Sequence, residues 1–475
     1  MNRFKLFISN FIVYGLGGVI GKIIPLLMLP IITRLMPDIA YFGLNDISNV
    51  VVSFGSALAI FGMYDAMFRL FFEKEEMEYK KSICSSALAF TIATSLIVFL
   101  ILLCFRGALA ELFFSSREYT NLLMLSAMSI LIGATNSIVA APTRINNQKN
   151  VYLVTNLIAP LISYSISVPL LLKGWYVIAL PLAAVISAFS MELIFWGLNR
   201  KWFSYKLINW HYIKQMLRIA FPLMPNFLIY WVFNSADRLM LEKIIGQEAV
   251  GVYAIGGKIG QMSQLIYLAF AGGWQYFSFS TMKDEDQVEM TSSVFEYLGG
   301  VAFIAIIFLT MINQWIFELF FTGDYVNGAI VAPYLFASPL LLMLFQIGSN
   351  QLLIIKKTWP NLLMLSLGAI LNVLLNLYLI PLIGIEGAAI ATFIGYIVSV
   401  CICVAVLHKW KLLCLSRRFA LVVLLTVLYL LVWRVWIREE VWITLLLGGV
   451  TMLGIMLLFK RDIDKLLKNR KGGAA

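Results

Sequence analysis

Apolar runs of roughly 20 residues, the length needed to cross ~30 Å of hydrocarbon, follow one another along the whole of this chain. They predict helices near 10–33, 43–65, 83–105, 121–141, 151–172, 176–197, 219–240, 250–276, 293–313, 331–354, 361–380, 386–407, 419–436 and 441–459, about fourteen in all. A membrane barrel would alternate apolar and polar positions over ~10-residue segments, and these runs do not. The fold class expected is an all-α polytopic membrane protein. No small-residue cleavage site follows the first run, so that span is expected to be retained.

The polar punctuation between the runs is written twice. Thr33–Leu44 reads TRLMPDIAYFGL, and the stretch from Asp237 opens DRLMLEKIIGQEAVGVYAIGGKI. Arg34 and Arg238 stand 204 positions apart, Gly43 and Gly251 208 apart, and Lys149 and Lys357 again 208 apart. Each of these lysines precedes a span, a short glycine turn (Lys173–Gly174, Ile383–Gly384) and a further span. Spans one to six therefore read as duplicated in seven to twelve, and an even number per copy makes the repeats parallel. The domains expected are an N-terminal six-helix bundle at 1–198, a cytoplasmic amphipathic linker at 199–218, a C-terminal six-helix bundle at 219–408, and two extra helices with a basic tail at 409–475. Trp202, Phe203, Tyr205, Trp210 and Tyr212, interleaved with basic residues, suit a linker lying on the inner leaflet. Paired membrane repeats with a site near the midplane are the architecture of alternating-access carriers.

Composition sharpens this picture. The chain has 475 residues, 61% hydrophobic and only 13% charged, with a formal net charge of +11. Its basic residues divide roughly 26 to 7 between alternate loops, which places both termini in the cytoplasm. That bias accounts for the net charge without nucleic acid as a partner. None of the five cysteines forms a pair in an outer loop, and His211 and His408 have no cysteine or carboxylate constellation around them. No catalytic residue, metal site or cofactor is expected. Outer loops reach about 15 residues at most, around 106–120 and 314–328, too short for the outer domain of a membrane transferase or polymerase.

Charges inside hydrocarbon cost ~2.5–3.5 kcal/mol each and call for a reason. Lys22 lies midway along the first span, with Gly15 and Gly18 on its face and Pro25 and Pro30 beyond, where a broken helix lining a cavity is expected. A lysine paired with a carboxylate for packing would look the same. Lys258 and Gln261 share an arc of ~120° with Gln264, and snorkelling to the outer surface is the competing reading for that lysine. Asn226, Asn234 and Asp237 fall with Tyr230 within ~80° on the seventh span, either as site residues or as polar glue between helices. Arg34 and Arg238 close their spans on the outer side, where interface anchoring competes with a binding role. Asp46, Asp65, Glu192 and Glu386 lie in or beside spans and are candidates for coupling to a proton or sodium gradient.

The stretches PLMPNFLIYWVFNSADRLMLEKIIGQEAVGVYAIGGKI, LNVLLNLYLIPLIGIEGAAIATFIGYIVSV (371–400) and LPIITRLMPDIAYFGL resemble bacterial polysaccharide repeat-unit flippases. That family sits in the superfamily of multidrug, oligosaccharidyl-lipid and polysaccharide exporters. The resemblance covers the whole chain and implies transport of an oligosaccharide on undecaprenyl pyrophosphate, for O-antigen or capsule, across the bacterial cytoplasmic (inner) membrane. The implied partners are the lipid-linked oligosaccharide, membrane lipids, a polysaccharide polymerase and a chain-length regulator. A diphosphate would match Lys22 and Lys258 in charge. Drug-extruder relatives commonly carry a carboxylate in the first span where this chain offers Lys22, which disfavours cation-coupled drug antiport. A non-transporting assembly component is the remaining alternative.

Overall fold

A computed structural model describes residues 21–268, 270, 274, 278, 281, 284–357, 359–438 and 440–460. Among them there is no strand, and eleven helices are long and apolar enough to cross a membrane. One of these, Trp359–Lys409, is two spans joined at Ile383 and Gly384, the turn expected from the sequence. Gly384 adopts φ 63°, ψ −138°, a backbone state open only to glycine. The first and eighth predicted spans run into residues outside those described, as do Gly15, Gly18 and the basic tail.

In chain order the helices are α1 (21–35), α2 (Ile39–Ile60), α3 (Met63–Phe71), α4 (Met77–Cys104), α5 (Arg106–Phe114) and α6 (Thr120–Ile145). There follow α7 (Lys149–Leu172), α8 (Ala179–Asn199), α9 (Trp210–Ala220), α10 (Met224–Trp231), α11 (Asp237–Ile244) and α12 (Gln247–Gly260). The chain continues with α13 (Gln287–Phe320), α14 (Ala332–Ile354), α15 (Trp359–Lys409), α16 (Arg417–Val432) and α17 (Val441–Leu458). It divides into two compact units, 1–255 with 369–391 and 256–368 with 392–475.

In the first unit α6 is the hub, packed on α2, α4 and α8. Small residues let it approach closely. A methyl on Gly55 would overlap the Ile130 side chain, and Ser48 Oγ meets Ser126 Oγ at 2.7 Å. Asn199 Nδ2 donates to Val139 O and Thr143 Oγ1, both at 2.9 Å, tying the end of α8 to α6. The span expected at 43–65 ends instead at Ile60, where Phe61 (φ 50°) and Gly62 (φ 70°) make a left-handed turn. A methyl on Gly62 would sit 3.2 Å from Ala220 Cβ, so the turn is pinned by α9 and the short α3 leaves the span behind. In the second unit α14 is central and mostly buried, and it packs on α13.

Helix α1 differs from its sequence reading. It runs unbroken through Pro25 and Pro30. Each proline removes one backbone donor without ending the helix. Thr33 Oγ1 takes up carbonyls in the next turn, Leu29 O at 3.0 Å and Pro30 O at 3.1 Å.

The linker after α8 is only partly helical. Two 3₁₀ turns precede α9, and α4 holds them. Ser82 Oγ donates to Leu207 O at 2.6 Å, while Ser85 Oγ and Ser86 Oγ accept from the backbone of Ser204 and Asn209, each at 2.9 Å. Asn209 then caps α9 through its own side chain. The second unit repeats the device. Ser292 Oγ accepts from Cys414 N at 2.9 Å, Glu296 accepts from the backbone and hydroxyl of Ser416, and Ser416 caps α16. A five-residue π turn also recurs, at Val232–Ala236 and Trp433–Ile437. The span after each linker thus starts on a side-chain cap and carries a π turn towards its far end.

Candidate functional site

Two polar features stand out in the first unit. One joins α2 to the seventh span at the end predicted to face outward. Arg238 Nε donates to Asp46 Oδ2 at 2.6 Å across 192 positions of sequence, and Arg238 Nη1 lies 3.3 Å from Asp237 Oδ1. The backbone N–H of Arg238 donates to the same Asp237 oxygen at 2.9 Å, and Arg238 Nη1 also donates to Asn234 O. The Tyr253 hydroxyl donates to Asp237 Oδ2, while its ring lies 5.4 Å from the guanidinium. The three charged side chains are only 11%, 6% and 2% exposed for Arg238, Asp46 and Asp237. One guanidinium thus satisfies two buried carboxylates, and a phenol completes the second. Removing one member of such a group leaves an uncompensated buried charge, which costs ~3–5 kcal/mol.

Close helix packing sets up this cluster. A methyl on Gly43 would overlap the Gln247 carbonyl, and one on Gly251 would overlap the Ile39 carbonyl. The surrounding loop is fastened as well. Gln247 Nε2 donates to Phe114 O at 3.1 Å, and Lys243 Nζ donates to Glu111 O at 3.1 Å.

The second feature is a cavity of about 540 Å³ at the opposite ends of α2 and α6. Asp65, Tyr64, Arg144, Ser53, Ser137 and Phe227 contribute to its wall. Arg144 Nη1 donates to the Tyr64 hydroxyl at 3.1 Å and its guanidinium lies over Tyr152, 5.7 Å from the ring centre. Asp65 lies past the end of the α2 span and is exposed overall, although partial burial of its carboxyl pushes it above the ordinary value. Burial also raises the Tyr64 phenol, against the nearby Arg144 charge that lowers it.

The remaining sequence-derived candidates are scattered. Lys22 is half-buried in α1, where the preceding Gly21 faces Asn156 of α7. Lys258 and Gln261 are exposed and belong to the second unit. Arg34 is exposed at the end of α1, whereas Arg238, its counterpart in the repeat, is buried and paired. The stripe from Asn226 to Asp237 is split. Bonding i→i+5 through Val232–Ala236 widens one turn, so Asn234 is exposed while Asp237 is buried. Asn234 Nδ2 returns to Tyr230 O at 2.7 Å, and Asn226 is half-buried. Glu192 is half-buried on α8, and Glu386 is buried just after the Gly384 break. Tyr253, Tyr64 and Arg144 had no sequence signal as site residues. Tyr253 sits in an apolar run, and Arg144 reads as one more positive loop charge. Among the described residues no group of histidine, cysteine and carboxylate side chains could hold a metal.

The chain is similar in structure to the lipid II flippase MurJ in an inward closed conformation, with a TM-score of 0.71, 17% identity, and coverage of 96% of this chain and 99% of that one. An inward-facing multidrug resistance transporter of the MATE family and MOP superfamily matches with a TM-score of 0.61 at 15% identity, over 83% of this chain and 98% of that one. The Vibrio cholerae MATE transporter VcmN, solved as a mutant, matches with 0.59 at 14% identity, over 85% and 96%. No curated protein matches the sequence. The family described as polysaccharide biosynthesis protein matches residues 31–329, well over half of the chain. The chain belongs to that polysaccharide biosynthesis family, and it is built on the fold of MOP-superfamily flippases and transporters.

Proposed function

We propose that the protein is a flippase that carries undecaprenyl-pyrophosphate-linked oligosaccharide units, as for O-antigen or capsule, from the cytoplasmic to the outer leaflet of the bacterial inner membrane by alternating access. The observation that carries this reading is the buried Asp46–Arg238–Asp237 clasp. Opening an apolar seam in contact with water costs ~25 cal/mol per Å². An ionic clasp that opens into water exchanges its pairing for hydration, so open and closed states stay close in free energy. A carrier that must open and reseal once per cycle needs that balance; a static scaffold does not.

The family description and the likeness to a lipid II flippase support a lipid-linked saccharide as cargo. Lys22 and Lys258 are the cations proposed for the diphosphate, with Gln261, Asn226, Asn234 and Arg34 as further contacts along the path. Resetting is proposed to draw on a proton or sodium gradient or the membrane potential, where one charge across 100 mV is worth ~2.3 kcal/mol. Asp65, Glu192 and Glu386 are the coupling candidates left uncommitted by the clasp. Cation-coupled drug export is the second reading, favoured by the MATE-type fold and opposed by Lys22 in the first span.

Lipid analysis of a deletion strain tests the proposal. It predicts accumulation of one undecaprenyl-diphosphate oligosaccharide on the cytoplasmic side, restored by the wild-type chain but not by Lys22→Ala expressed at equal membrane abundance. A normal lipid profile together with new drug sensitivity would favour the antiporter. Full complementation by Lys22→Ala would remove that lysine from the site.

A further inference from the structure

The cavity at the ends of α2 and α6 has a polar chemistry that a diphosphate would not exploit. Its charges are balanced. Arg144 would draw an anion in, but the Asp65 carboxylate shares the wall and would repel it. A cation would meet the reverse conflict. The hydrogen-bonding inventory is skewed towards acceptors. Ser53 Oγ donates to Val50 O at 2.8 Å and Ser137 Oγ to Ala134 O at 2.7 Å, so both hydroxyls have given their protons to their own helices and keep lone pairs. Asp65 makes no hydrogen bond or ion pair with any described residue, which leaves two more acceptor oxygens. Arg144 commits one N–H to Tyr64 and has others to give. Phe227 and Tyr64 add aromatic surface. The volume, about 540 Å³, lies within the range of small-molecule sites.

A neutral ligand rich in adjacent hydroxyls uses all of these at once. Its O–H groups donate to Asp65, Ser53 and Ser137, one of its oxygens accepts from Arg144, and its C–H face lies on an aromatic ring. We propose that this cavity is a saccharide subsite that holds neutral sugar residues of the lipid-linked substrate while the diphosphate is bound elsewhere. The assignment rests on the flippase reading and adds to it a division of labour. Charged residues such as Lys22 select the anchor, and the Asp65–Arg144 cavity reads the glycan.

Native mass spectrometry of the purified full-length protein in lipid nanodiscs provides the test. The probes are undecaprenyl diphosphate without sugar and the undecaprenyl-diphosphate oligosaccharide pool extracted from a deletion strain. The wild type should bind the sugar-bearing lipid more tightly by about tenfold or more, the scale of one charge-assisted hydrogen bond. Asp65→Asn and Arg144→Gln should each bring the two lipids close to parity while leaving the bare lipid within about twofold of wild type. Asp65→Asn is the more secure variant, because Asp65 is exposed and makes no hydrogen bond or ion pair with any described residue, and a melting curve confirms that it is folded. Equal wild-type affinity for the two lipids, unchanged preference in both variants, or loss of both lipids together would overturn the subsite. Failure of the wild type to bind either lipid would instead overturn the flippase reading, and the subsite with it.

Discussion

Gly43 and Gly251, which occupy the same place in the two halves of the sequence, each lie against the other half's helix. Gly43 faces the Gln247 carbonyl one turn before Gly251, and Gly251 faces the Ile39 carbonyl one turn before Gly43. Exchanging the halves reproduces the contact, as at an interface related by a two-fold axis. Close approach at this crossing brings Asp46 on α2 within reach of Arg238 on the neighbouring span. Gly43→Ala or Gly251→Ala would push backbone against backbone. Each should lower stability by about 1–3 kcal/mol, read as a drop in melting temperature in detergent. Gly107, beside which a methyl meets nothing within 4 Å, is the control expected to tolerate alanine at that level.

The Glu296 clamp in the second unit makes a separate prediction. Its carboxylate accepts from Ser416 N, Ser416 Oγ (2.8 Å) and Arg418 Nη2 (3.3 Å). Glu296→Ala should cost about 1.5–3 kcal/mol, as expected for hydrogen bonds to a buried charge, and should raise hydrogen exchange over 414–420. Unchanged protection there would show that the C-terminal helices are held by packing alone.

Asp65 predicts a pH dependence of known sign. Partial burial raises its folded-state value above the ordinary 3.8, so the folded chain holds this proton more tightly than the unfolded chain does. The stability this contributes is fully present below 3.8 and is lost as pH rises through the raised value. Asp65→Asn lacks that loss. Its melting temperature should therefore match the wild type in acid and equal or exceed it at neutral pH. A variant that is less stable at neutral pH would mean that the carboxylate has a stabilising partner.

The all-helical fold, most of the spans and the Ile383–Gly384 turn were legible because apolar run length and glycine report directly on membrane crossing and backbone freedom. The likeness of the stretches around Arg34 and Arg238, and around Gly43 and Gly251, was legible as well. Pairing was not. Nothing local to Arg238 says that its partner lies 192 positions earlier, and an arginine at the end of a span reads most simply as an interfacial anchor. The split of the Asn226–Asp237 stripe was hidden for a different reason, since a π turn alters register without any residue type announcing it. Arg144 was absorbed into the positive-inside count, and only folding shows that this exposed side chain meets Tyr64 and contributes to the wall of a cavity.

The central claim is that the seam held by Asp46 and Arg238 opens and closes. The most direct measurement is the distance between spin labels at Pro37 and Glu248, exposed positions beside the starts of α2 and α12, read by double electron–electron resonance in lipid nanodiscs. The account predicts a short-distance population in the wild type and a second, longer one. Asp46→Asn should shift weight strongly to the longer distance. A single distance, unchanged by that substitution and by added lipid-linked oligosaccharide, would contradict it.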